Sequence, residues 1–373
     1  MMPARPINPP DTGFSATPAQ ACSDNARWTT CFYMNEIPPF VGAELERLYG
    51  SIYASISQFR IYDQDGPVST YVAGFDNCPV AVLLFRIDGE RLLVLNQVIQ
   101  LEIAEINRFA QFAFTSFPTT KVILFRALHT GPEKLDYFCL RHNCLEDIVL
   151  TLPATVPAYF SSLGKNTRRN LKRYQRKLLD AHPGFRFEIL DTVNISQQVM
   201  RDIVALNRAR MAGKKKASTI DTEKIDALIA HAHDCGLVGV ATMDGRVCAG
   251  AISFRSDRNY FLSVIAHDPR YDEYWLGILC CYMTICECIA RSGREFHFLW
   301  GEYDYKYTLQ GVRRDLDNLA LYRSPVQMLW HADVALNMAR GALARHMHLW
   351  LHTMSHSERP LYRWIKQAVQ RWR

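Results

Sequence analysis

The sequence predicts an α/β (α+β) protein of two similar halves, each a mixed sheet flanked by helices. Two patterns carry that expectation. Short apolar runs of strand length, separated by Asp-Gly and Asp-Asn turns, alternate with longer stretches whose apolar residues recur every three or four positions. The same order of strands, turns, helix and strand then occurs twice. Length agrees, since 373 residues are many for one average domain and comfortable for two.

Residues 1–25 are rich in Pro, Ala, Ser and Thr without apolar periodicity, which predicts a flexible leader. In residues 40–59, Leu45, Leu48, Tyr49, Ile52, Tyr53 and Ile56 follow helical spacing, so one amphipathic helix is expected. Strands follow at residues 70–73, 80–86 and 91–98, with turns at 76–79 and at Asp88-Gly89. A helix over 101–114 and a strand over 121–125 complete the first half.

The second half repeats this order. Strands are expected at 237–242, 247–255 and 260–266, with turns at Asp244-Gly245 and Ser256-Asp257, then a helix over 276–291 and a strand over 295–300. Phe85-Arg86 and Phe254-Arg255 take equivalent places before the second turn of each half. The expected division is therefore a leader over 1–25, an N-terminal half over 26–150, a C-terminal domain over 151–325 and a basic amphipathic tail over 326–373.

A composition of 49% hydrophobic, 12% aromatic and 21% charged residues fits folded domains and excludes extensive disorder. The net charge of +6 favours anionic partners such as phosphates or lipid headgroups. The 11 cysteines follow no disulfide framework, which points to a reducing compartment. The start lacks the apolar stretch of a secretory signal, and the most apolar run, 277–289, is shorter than the roughly 20 residues that cross a bilayer. A cytoplasmic protein without a transmembrane segment is expected.

Residues 165–177 hold seven basic side chains in thirteen. On a helix, Leu171, Tyr174 and Leu178 share one stripe, and Arg168, Arg169, Lys172 and Arg173 belong to the cationic face opposite. A charge run of this kind is either a solvated surface or a site for phosphates, because like charges four residues apart repel unless an anion relieves them. Nucleic acid is one such partner, but no finger, aromatic RNA-binding motif or winged helix accompanies the run, so sequence-specific recognition is not expected. In the tail, Arg340, Arg345, Arg359, Arg363, Lys366, Arg371 and Arg373 are interleaved with Trp330, Trp350, Trp364 and Trp372. Such a helix suits either an anionic membrane surface or packing on the body of the protein.

Cys280, Cys281, Cys286 and Cys288 lie in one apolar helix without the spacing of a metal knuckle. The tail histidines His331, His346, His348, His352 and His356 have no carboxylates for company. No metal site is expected from either group.

Two segments carry a family resemblance. Residues 161–173, Ser-Ser-Leu-Gly-Lys-Asn-Thr-Arg-Arg-Asn-Leu-Lys-Arg, and residues 298–307, Phe-Leu-Trp-Gly-Glu-Tyr-Asp-Tyr-Lys-Tyr, resemble the GNAT proteins of the CelD/BcsL cellulose-biosynthesis acetyltransferase family. More remotely they are similar to the Fem-type peptidyltransferases, which are tandem GNAT folds. The resemblance covers roughly residues 159–324 and implies tandem GNAT-like folds with the reaction centre in the second half.

It also implies transfer of an acyl group from a carrier, acetyl-CoA or another acyl-CoA, to an amine, without a metal. The carrier would lie along a splayed parallel strand pair near Ile265, with its pyrophosphate at the helix start formed by Leu276, Gly277 and Ile278. Gly277 would let a phosphate approach the backbone, with ordinary close helix packing as the alternative. Lys306 would stabilise the developing oxyanion, Glu302 or Asp304 would take the amine's proton, and Tyr305 or Tyr307 would return one to the thiolate. The family's phosphate loop is spaced differently from residues 270–277 here, which leaves a longer acyl-CoA, an acyl carrier protein or an aminoacyl-tRNA as alternative donors. The acceptor expected is an envelope polysaccharide precursor, a lipid-linked sugar or a similar amine, with peripheral membrane association as an option. A GNAT-derived module that only binds anionic membrane or nucleic acid is the alternative function.

Overall fold

The computed structural model describes residues 20–25, 27–62, 66–213 and 222–354. The expected leader falls outside these residues up to position 19, as does the tail from 355 onward with Arg359, Arg363, Lys366, Arg371, Arg373, Trp364 and Trp372.

The first half runs β1 (Gln20–Asn25), β2 (Trp28–Tyr33), α1 (Val41–Tyr49), α2 (Ile56–Tyr62), β3 (Ser69–Phe75), β4 (Cys78–Asp88), β5 (Arg91–Val94), β6 (Ile99–Gln100), α3 (Ile103–Ser116), β7 (Val122–His129) and β8 (Phe138–Thr151). The second continues with α4 (Val156–Ser162), α5 (Lys165–Ala181), β9 (Phe185–Asp191), α6 (Gln197–Gly213), α7 (Thr222–Cys235), β10 (Gly236–Met243), β11 (Arg246–Ser256), β12 (Asn259–His267), α8 (Leu276–Ala290), β13 (Glu295–His297), α9 (Asp304–Thr308), β14 (Val312–Tyr322), α10 (Pro325–Trp330) and α11 (Ala332–Met354).

Each half contains an antiparallel meander, β3-β4-β5 or β10-β11-β12, whose last strand pairs in parallel with the strand after the crossover helix: β5 with β7, and β12 with β13. The halves then exchange strands. β8 follows the first half's β7 yet pairs with β13, while β14 returns from the second half to pair with both β7 and β8. One mixed sheet therefore runs in the order β1-β2-β3-β4-β5-β7-β14-β8-β13-β12-β11-β10-β9, with β6 added beside β7.

Around the second half, one core joins Leu171 and Leu178 of α5 to Leu276, Leu279 and Ile285 of α8 on one face of the sheet. Another joins Met200 and Ile203 of α6 to Ile225 and Leu228 of α7 on the opposite face. In the first half, Ile106, Phe109 and Ala113 of α3 bury against Tyr71, Phe85 and Phe125. Apolar burial of this extent, at about 25 cal/mol per Å2, is the main stabilising contribution.

Three expectations on local structure are corrected. The single helix over 40–59 is two helices, because Gly50 takes a left-handed φ of 49° and caps α1 with its amide on Glu46. A side chain there would meet Asn259, whose Nδ2 lies 2.8 Å from the Cβ position, so the break is fixed by tertiary packing as well as by glycine. Residues 20–25, expected in the leader, form β1 on β2. The strands expected over 91–98 and 295–300 stop at Val94 and His297, where Val98 and Leu299 adopt φ of 52° and 59°. Among the described residues, no helix is long and apolar enough to cross a membrane, and no group of His, Cys, Asp and Glu is arranged to hold a metal.

Candidate active site

β12 and β13 pair in parallel over three positions, Asn259 with Glu295, Tyr260 with Phe296 and Phe261 with His297, and then diverge. Both strands cause the opening. β12 carries a bulge at Ser263, where the register with β11 passes from Ser253 with Leu262 to Ile252 with Val264, and a bulge re-aims the strand. After β13 the left-handed Leu299 turns the chain away.

A cleft of about 520 Å3 fills the opening. Its strand walls are Leu262 to Ile265 on one side and Phe298 to Trp300 on the other, with Tyr303, Tyr305 and Lys306 closing one end. Leu262, Phe298 and Tyr305 belong with the core under α5 and α8, whereas Val264, Leu299 and Leu228 belong with the core under α6 and α7. The cleft thus lies within the sheet with walls from both cores, and the helix residues that line it, Asn207, Arg210, Met211, Lys224 and Leu228, come from the α6 and α7 face.

Lys306 is buried at 2% exposure and shapes the cleft from within. Its ammonium donates to the carbonyls of Phe298, Leu299 and Trp300 at 2.8, 2.9 and 2.7 Å, which uses all three N–H groups. Burial lowers its pKa to about 8, opposed by the nearby carboxylates Asp147 and Glu146, which favour the charged form. Lys306 therefore holds the diverging strand in place and adds positive charge, with no N–H left to point at a substrate.

Tyr305 is different. Its ring packs edge-on against Phe298 at 6.1 Å, and no described residue hydrogen-bonds its hydroxyl. Burial raises its pKa, with Arg210 acting in the opposite direction, so the phenol stays protonated near neutral pH. It is a proton donor with nothing yet to donate to.

Glu302 and Asp304 do not line the cleft. Glu302 accepts from Arg313 at 2.7 Å, and Asp304 sits exposed in the first turn of α9. Tyr307, the alternative proton donor, also stands outside and is exposed. Ile265 does line the cleft, and its carbonyl accepts from Asn207 and Arg210, each at 3.3 Å, in place of a strand partner.

The start of α8 lies on the α5 face. Leu276 is buried, Ile278 packs on the core beside it, and neither lines the cleft. At Gly277 a Cβ would stand 2.6 Å from His267 Nδ1, so this glycine is required by close packing against an imidazole that is itself held by Asp272 at 2.7 Å. The cationic helix α5 adjoins this point: Tyr174 packs on Trp275, the residue before α8, with ring centres 5.6 Å apart, and Lys177 pairs with Glu273 at 2.5 Å. Among the described residues, Lys177 is the only cation of α5 with a carboxylate partner. Arg168 donates to the Ser161 carbonyl, Arg169 reaches Asn166, Lys172 lies over Phe160 and Arg173 over Tyr174. None of these four cations pairs with a carboxylate among the described residues.

Several lining residues were not legible as site residues. Tyr53 and Tyr62 come from the first half, carried by the turn after Gly50 and by α2, which is fastened to α7 through Ser57 and Arg60 on Asp234. Arg210 and Lys224 come from α6 and α7, and the Arg210 Nε is buried without a hydrogen-bond partner. Among the described residues, no carboxylate lines the cleft. Sequence spacing gives no signal for residues that converge from separate elements. Behind the parallel pair, His297 shares a 2.7 Å hydrogen bond with Asp147 and lies 3.3 Å from Glu295. Burial opposes its charge, but these two carboxylates outweigh that and raise its pKa.

Residues 165–307 match the family described as Acetyltransferase (GNAT) domain, so the second half carries an acyltransferase domain of GNAT type. The crystal structure of FemX is similar over 80% of this chain and 99% of its own, at 9% identity and a TM-score of 0.57. The structure of L-PGS from Bacillus licheniformis aligns over 79% of this chain and 95% of its own, at 14% identity and a TM-score of 0.46. A tandem GNAT protein from the clavulanic acid biosynthesis pathway aligns over 79% and 99%, at 10% identity and a TM-score of 0.39. No curated protein matches the sequence at a significant level.

Proposed function

We propose that the chain is an N-acyltransferase that moves an acyl group from acyl-CoA, or a carrier of similar chemistry, to an amine. The observation that carries this reading is the cleft where β12 and β13 diverge, with the unpartnered Tyr305 hydroxyl at its end. A thioester arm entering from the α5 and α8 face would add to the free edge of β12, and its phosphates would meet the cations of α5. The amine would enter from the α6 and α7 face.

In the reaction the amine nitrogen attacks the thioester carbonyl, the C–N bond forms and the C–S bond breaks. The charge of Lys306 favours the oxyanion, and Tyr305 protonates the departing thiolate. With no carboxylate lining the cleft among the described residues, the amine's proton leaves to water at the mouth, and Tyr305 recovers its proton from the same source. Arg210 and Lys224 on the acceptor side favour an amine that also bears a phosphate or carboxylate, as a lipid-linked or polysaccharide precursor does. The exposed Leu329, Trp330, Leu336 and Leu343 of α10 and α11 support peripheral association with a membrane.

Thermal unfolding with acetyl-CoA, longer acyl-CoAs and RNA tests the reading, because a ligand that prefers the native state at about 100 times its Kd adds roughly 2.7 kcal/mol. A thioester should raise the Tm and RNA should not. Stabilisation by RNA alone would favour the binding-module alternative.

A further inference from the structure

We infer that Arg345, on the C-terminal helix α11, is a positioning residue for the loop between β13 and α9, acting through Glu146 on the amide of Gly301. The importance of that loop for catalysis rests on the function proposed above; the contact itself does not.

The loop supplies Phe298, Leu299, Trp300 and Tyr303 to the cleft and leads into α9, which supplies Tyr305. Lys306 holds its first three carbonyls from inside. Its apex is Gly301, with φ of 88°, where a Cβ would stand 2.8 Å from the Tyr303 ring. From outside, Glu146 Oε1 of β8 accepts the Gly301 N–H at 2.8 Å. Glu146 is 2% exposed, and a carboxylate so buried needs a cation. Arg345 supplies it: its Nη2 donates to Glu146 Oε2, while its Nε donates to Asn143 Oδ1 at 3.3 Å. Asn143 is fixed in turn by donating to the carbonyls of Leu145 and Leu316, both at 3.1 Å, where β8 and β14 change register.

α11 thus spans the sheet. Near its start Asp333 pairs with Arg91 of the first half at 2.7 Å, and twelve positions later it reaches the second half's loop through Arg345. Removing Arg345 leaves Glu146 to choose between an unpaired buried charge and a weaker bond to Gly301, and either outcome frees the apex between Trp300 and Tyr303. A lysine could still pair with Glu146 but would lose the second donor to Asn143.

Amide hydrogen exchange of the full chain, followed by mass spectrometry on peptides spanning residues 298–306, tests this directly. In Arg345→Ala, exchange at the loop should rise about tenfold or more while β11 and β12 keep their protection. Arg345→Lys should restore most of the protection. In a Glu146→Gln background, which keeps an acceptor for Gly301 but removes the ion pair, adding Arg345→Ala should change little. Unchanged loop protection in Arg345→Ala, or a rise shared equally by β11 and β12, would overturn the inference. Thioester turnover measured alongside separates the two readings: a wild-type protein without turnover counts against the proposed function, while the exchange result still decides the role of Arg345.

Discussion

Lys306 and Trp300 are joined end to side, the ammonium of the one donating to the backbone carbonyl of the other at 2.7 Å. The same nitrogen takes the two preceding carbonyls, so a single side chain satisfies the stretch of backbone that has left β13. This explains how the sheet can stay open at its centre: the polar groups that a neighbouring strand would have paired are satisfied from within the loop.

Lys306→Met should therefore cost about 3 kcal/mol or more of stability, because three buried carbonyls lose their donor. Chemical denaturation measures the loss. The pH dependence has a definite sign. With a folded pKa of about 8 against an ordinary 10.5, the unfolded chain binds this proton more tightly. The unfavourable charge burial is thus present below pH 8 and is relieved as pH rises towards 10.5, so this group raises stability across that interval. Turnover should fall through the same interval, since the neutral amine has one donor fewer for the three carbonyls. Stability rising while turnover falls, with both slopes lost in Lys306→Met, is the expected pair of results.

The cations of α5 that pair with no carboxylate among the described residues should matter for the carrier. Arg169→Glu with Arg173→Glu should weaken acyl-CoA binding at least tenfold and flatten its salt dependence, since fewer charge contacts remain to be screened. Isothermal titration at two ionic strengths measures both. Because Leu171 and Leu178 form the buried stripe of α5, the fold should survive the change.

Gly277→Ala should destabilise the protein by about 1–3 kcal/mol through overpacking against His267. Adding His267→Ala should recover most of that loss. Denaturation of the single and double variants checks it, and an unaltered single variant would show that the imidazole moves aside without cost.

The meander, crossover helix and parallel strand of each half were legible because alternating and helical periodicities are local and Asp-Gly turns mark the strand ends. Leu171 and Leu178 of α5 were legible for the same reason. The exchange of β8 and β14 was not, since a strand's partner depends on contacts between positions as distant as Arg313 and Ile148. At the site, the motif around Tyr305 and Lys306 led to the cleft, yet it could not show that the lysine's donors are spent on its own backbone. Tyr53, Arg210 and Lys224 arrive from three separate elements, so only the folded chain brings them together.

Thiol release from acyl-CoA in the presence of an amine acceptor, compared between wild type and Tyr305→Phe, tests the central claim most directly. The expected result is unchanged acyl-CoA affinity with kcat reduced by about two to four orders of magnitude, as loss of a general acid produces. Turnover at the wild-type rate in Tyr305→Phe would contradict the placement of acyl transfer in this cleft.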